Sequence, residues 1–100
     1  MPNETAALAQ TRIAYLERLG DELRGRGFAV RLTIPRTGPP SLHVMNPRAS
    51  ALTENILAES SGGDWWFWWS WAERIARADD LGAAADRVAR VLAATGEYSS

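Results

Sequence analysis

All five tryptophans and one of the two phenylalanines fall within Asp64-Trp65-Trp66-Phe67-Trp68-Trp69-Ser70-Trp71. Aromatic rings favour extended backbone because they pack well on a pleated, half-buried surface, so Trp65–Trp71 predicts a strand. The preceding Gly62-Gly63 pair predicts a hairpin turn, since glycine reaches positive φ without steric cost. The returning partner is Leu52-Thr53-Glu54-Asn55-Ile56-Leu57-Ala58-Glu59. With the two glycines as the loop, Ala58 pairs with Phe67, Ile56 with Trp69 and Glu54 with Trp71. Leu57 then faces Trp68, and Glu59 faces Trp66. A three-residue loop would shift these partners by one. In either register the pleat puts Trp65, Phe67, Trp69 and Trp71 on one face and Trp66, Trp68 and Ser70 on the other. The strand is therefore buried on both sides, or it offers tryptophan to something that binds.

The rest of the chain reads as scaffold for that strand. From Glu4 to about Arg24, Ala9, Ile13, Leu16, Leu19, Gly20 and Leu23 recur at helical spacing, with Asn3 or Thr5 as a cap and Gly25 and Gly27 as the stop. Phe28-Ala29-Val30-Arg31-Leu32-Thr33-Ile34 alternates strictly and predicts the first strand. Pro35–Pro40 leaves the ladder, because proline lacks the donor a ladder needs. Ser41–Asn46 predicts a second strand with Leu42 and Val44 inward and His43 and Met45 outward. Asn46-Pro47 opens a turn through about Ser50. Glu73–Ala78 reads as a connector or a brief extension of the aromatic strand. Asp79 is the expected cap of a last helix, with Asp80 in its first turn. That helix carries Leu81, Ala84, Ala85, Val88, Val91 and Leu92 on its apolar side, and Gly96 ends it.

The order helix, four strands, helix predicts a single α+β domain over residues 1–100, a four-stranded antiparallel meander with both helices on one face. Phe28, Val30, Leu32, Leu42, Val44, Ile56, Phe67 and Trp69 form the expected core side. Arg31, Thr33, His43, Met45, Leu57, Trp66, Trp68 and Ser70 form the open side.

Composition narrows the function classes. A net charge of −1 supplies no general pull toward nucleic acid or an anionic membrane. Cysteine is absent, which removes thiolate chemistry, disulfides and cysteine metal sites. No signal peptide and no apolar run of membrane-spanning length is apparent, so a cytoplasmic protein is the expectation. All 11 basic residues are arginine, which reads as genome composition and not as a recognition code. His43 is the only histidine, and no acids recur near it at ligand spacing. Neither Gly62-Gly63 nor Gly25-x-Gly27 has the spacing of a phosphate loop. No catalytic residue, metal or cofactor is indicated.

The remaining signal is the open face. An apolar patch of its expected size marks an interface more often than not. Its contact residues are expected to be Trp66, Trp68, Met45, His43, Arg31 and Leu57, in a non-enzymatic interaction module or small accessory protein that pairs with its own copy or another protein. The alternative is a small-molecule-binding protein or enzyme with a tryptophan-lined pocket. Aromatics with an arginine on an open sheet also suggest an RNA-stacking platform. The element order and the charge speak against that.

The element order, with the final hairpin running from Gly62-Gly63-Asp64-Trp65 to Trp71-Ala72-Glu73-Arg74-Ile75, resembles small actinobacterial α-β4-α proteins. That likeness spans roughly residues 16–92 and implies a fold but no activity. The outline is also similar to two-layer sandwiches such as the type III secretion chaperones, which implies dimerisation and partner binding by analogy of fold alone.

Overall fold

The structure is a computed structural model. It describes residues 2–93, and of residues 2–6 the backbone only. The elements are α1 (Pro2–Gly25), β1 (Ala29–Thr33), β2 (Ser41–Asn46), β3 (Ala49–Ser61), β4 (Asp64–Trp69), β5 (Arg74–Arg77) and α2 (Leu81–Val91). The strands form one antiparallel meander in chain order, and both helices pack on the same face of it.

The expected α+β architecture holds, but the sheet has five strands and not four. The extra strand is β5, where a connector or an extension of the aromatic strand was expected. Two features hide it from the sequence. Ala72 takes a left-handed φ of 69°, a conformation usually left to glycine. It reverses the chain through bonds from Ala72 N–H to Trp69 O and from Trp69 N–H to Glu73 O. The β4–β5 register then slips between Phe67 and Trp68, so that Trp66 pairs with Arg77, Phe67 with Ala76 and Trp68 with Arg74. Strict alternation would send Ile75 to the same side as Arg77. The bulge instead turns Ile75 into the core and Arg74 out over the open face. A four-residue strand with a bulge shows no period-two pattern.

The β3–β4 register is the one expected from a Gly62-Gly63 loop. Ile56 pairs with Trp69, Leu57 with Trp68, Ala58 with Phe67 and Glu59 with Trp66. The glycines have φ of 62° and 86°, as a turn with two left-handed residues needs. The expected Glu54–Trp71 pair does not form. β4 stops at Trp69, and Glu54 is paired with Val44. Trp71 lies in the turn, 48% exposed, with its ring stacked on Trp69 at 4.9 Å.

The core is the predicted side of the sheet closed by the two helices. Leu16, Leu19 and Leu23 of α1 and Ala84, Ala85 and Val88 of α2 cover Leu42, Val44, Ile56, Phe67 and Trp69, all essentially without solvent contact. Phe28, Val30, Leu32 and Trp65 pack at its margin, and Trp65 meets Tyr15 of α1 at 5.5 Å. Ile34 departs from the reading: β1 ends at Thr33 and Ile34 is exposed. Val91 is likewise exposed instead of inward.

Three local devices fix the helices. At the end of α1, Phe28 N–H donates to Leu23 O and Gly27 N–H to Arg24 O, with Gly27 at φ 94°. This is a Schellman cap, and its Phe28–Leu23 apolar contact begins the core. At the start of α2 the cap is Asp80 and not Asp79. The Asp80 carboxylate accepts from Ala83 N–H at 3.1 Å, whereas Asp79 bonds Arg77. At the end of α2, buried Asn46 donates from Nδ2 to Leu92 O at 2.8 Å and accepts from Arg48 N–H at 2.9 Å. One amide thus holds the β2–β3 turn against the last carbonyls of α2. Gly96, the expected stop, lies outside the described residues. Arg26 bonds Asp86 across the two helices and Glu22 within α1. The Asp86 hydrogen bond raises the Arg26 pKa above its ordinary value.

Two expected outcomes test these assignments by urea denaturation. Gly27→Ala forces a Cβ into left-handed backbone and lowers stability by about 1 kcal/mol. Asn46→Ala leaves a helix-terminal carbonyl and a turn N–H without their buried partner and costs about 1–3 kcal/mol.

Candidate functional site

The face away from the helices is where the pleat sends the side chains that the core does not take. Its rows follow the strand pairing. Arg31, His43 and Asn55 lie side by side across β1, β2 and β3, and His43 Nδ1 is 3.1 Å from Asn55 Oδ1. Ala29, Met45 and Thr53 form the neighbouring row. On the other side of the His43 row lie Leu57, Trp68 and Arg74, then Glu59, Trp66 and Arg77.

All six expected contact residues therefore occupy one face, but in two groups. Leu57, Trp66 and Trp68 form an aromatic end. Arg31 and His43 form a polar row, and Met45 lies beyond it. Trp66 and Trp68 are half-buried within the chain. Their partial cover comes from Arg74, which sequence reading did not single out. Its guanidinium lies 4.5 Å from the Trp66 ring centroid and 5.3 Å from that of Trp68, and its Nη2 donates to Ser61 Oγ at 2.9 Å. The signal that could have found it is the β5 bulge, which has no sequence signature. Trp68 is further fixed by its Nε1–H, which donates to Glu59 O at 3.3 Å.

Beside Trp68 the face dips into an apolar recess of about 270 Å³ lined by Leu57, Glu59, Trp68, Trp69, Ser70 and Ala72. The recess exists because β4 ends at Trp69 and the chain turns away through Ser70–Glu73. The Glu59 carboxylate at its rim is paired with Arg12 of α1 at 2.8 Å. Leu57–Ser61 of β3 run beyond the start of β2, which opens that side of the hairpin to α1. A second recess, about 380 Å³, lies between the end of α1 and the β2–β3 turn, beside Arg26, Phe28, Asn46 and Arg48. Its Arg26 is engaged by Asp86 and Glu22.

His43 lies among Arg31 and Asn55 and does not line the tryptophan recess. Among the described residues no three His, Asp or Glu side chains gather as metal ligands. No helix among them is long and apolar enough to cross a membrane. The rings of Trp66 and Trp68 both carry the Arg74 guanidinium. Comparison of the chain with protein-family models, curated proteins and solved structures finds no match.

Removing the arginine tests the geometry. Arg74→Ala is expected to cost about 0.5–1 kcal/mol, the scale of an exposed cation–π contact. It should also raise the acrylamide quenching of tryptophan fluorescence, because two half-buried rings lose their cover. Unchanged quenching would place Arg74 away from the rings.

Proposed function

We propose that the protein is a non-enzymatic interaction module that engages a protein chain through the helix-free face of its sheet. One observation carries this reading. Both helices pack on one face, and among the described residues no element covers Leu57, Trp66 and Trp68 on the other. Tryptophan and arginine are residue types that anchor interfaces: tryptophan buries much area for little lost rotamer freedom, and arginine makes many hydrogen bonds. Arg31, His43 and Asn55 beside the aromatic end supply the polar rim that orients a partner.

The occupant is a second copy of the chain or another protein. Two-fold pairing, which would bury the same patch twice, is the case that the solution mass of the chain alone detects. The recess beside Trp68 favours one further reading, an apolar small molecule held against Leu57 and Trp68. That ligand would raise the melting temperature without changing the solution mass.

Light scattering over a dilution series, together with the double variant Trp66→Ser/Trp68→Ser, tests the proposal. The variant should keep the far-ultraviolet circular dichroism of the parent and lose association. Global unfolding of the variant would mean that these two rings belong to the core, and would overturn the proposal.

A further inference from the structure

We infer that Arg74 and the recess beside Trp68 receive a protein segment in which a carboxylate side chain lies next to an apolar one. This deepens the interaction reading above and rests on it. The basis is how the charges on the open face are spent. Arg77 is bonded to Asp64 at 3.2 Å and Asp79 at 3.4 Å, and Arg12 is bonded to Glu59 at 2.8 Å. The two acids of the aromatic end, Glu59 and Asp64, are thus already engaged. Arg74 has no carboxylate partner among the described residues.

Arg74 is nevertheless held in place. Its guanidinium carbon lies over the Trp66 and Trp68 rings, and Ser61 accepts one of its N–H groups. A guanidinium has five donors in a fixed fork, and the ligand that fits this fork with two parallel bonds is a carboxylate. Positioning it on Trp66 and Trp68 removes much of the rotamer entropy that an ordinary surface arginine loses on binding.

Trp68 is shared by both halves of the site. It lies beneath Arg74 and also walls the recess formed with Leu57, Ser70 and Ala72. A segment whose acid meets Arg74 can therefore place its neighbouring aliphatic or aromatic side chain in the recess. A second copy fits this site less well. It would bring another Arg74, Arg31 and His43 to the contact, while its Glu59 and Asp64 are engaged at home, and an arginine buried without a counter-charge is costly. A polynucleotide is disfavoured by the covered ring faces and by the net charge of −1.

The test is selection of a displayed random-peptide library on the full chain, with the selected peptides then measured by fluorescence titration. The expected result is enrichment of Asp or Glu beside Leu, Ile or Phe. Changing the acid to its amide should weaken binding about tenfold or more, as should Arg74→Gln in the protein, and Arg74→Gln should flatten the salt dependence. Peptides that need Trp66 and Trp68 but carry no acid, or that bind Arg74→Gln undiminished, overturn the inference and leave the interaction reading standing. Peptides that bind Trp66→Ser/Trp68→Ser as tightly as the parent overturn the interaction reading itself. Three other results also overturn the inference: no enrichment, tight binding of a single-stranded oligonucleotide instead, or a dimer that those two serines abolish.

Discussion

The alternation of the pleat is the constraint on which the rest of the molecule depends. Side chains on a strand point in turn to opposite faces, so consecutive aromatic residues cannot all enter one core. Phe67 and Trp69 are buried under the helices with at most 1% of their surface exposed. The same geometry forces Trp66 and Trp68 out the other side. Two helices suffice to cover one face of a small sheet, and among the described residues no further element lies over the other. The outward rings are instead managed locally, by Arg74 lying across them and by the Trp68 N–H bonding the carbonyl of Glu59.

This explains why part of the fold was legible in the sequence and part was not. The core side of the sheet was readable because Val30 and Leu32, and then Leu42 and Val44, recur at a period of two, and that period has one physical meaning. The Gly62-Gly63 register was readable for the same reason, since only glycine makes that turn cheaply. β5 was not, because Ala72 does a glycine's work in its turn and the bulge at Phe67–Trp68 breaks the alternation of Arg74-Ile75-Ala76-Arg77. Missing the strand meant missing Arg74, so the aromatic patch looked barer in sequence than it is. The helix cap shifted from Asp79 to Asp80 for a similar reason. Two adjacent aspartates both suit the role; Asp80 takes it, one residue before the helix begins at Leu81, and Asp79 bonds Arg77.

The contact residues were legible as a set but not as an arrangement. Alternation alone assigns Arg31, His43, Met45, Leu57, Trp66 and Trp68 to one face. How far apart they sit along the strands depends on the stagger of the meander, which sequence spacing does not encode. The ladder brings Leu57 to Trp68 and Arg31 to His43, and sets Met45 a row away from His43 on the side opposite the tryptophans.

A purely structural account of Arg74 deserves comparison with the recognition account. β5 is an edge strand, and charged side chains on an edge discourage pairing with other sheets. That role explains both Arg74 and Arg77, since each puts a cation on the edge. It does not explain their difference. Arg77 is neutralised by two aspartates, whereas Arg74 has two indole rings and a serine hydroxyl around it but no acid among the described residues. An apolar side chain at 74 would also shield part of the ring surface, and a cation–π contact at an exposed site contributes only about 0.5–1 kcal/mol. Covering tryptophan therefore does not select arginine. A fixed, unneutralised fork on the tryptophan that walls an apolar recess is distinguished by what it can still bond, and an anion of carboxylate shape fits it.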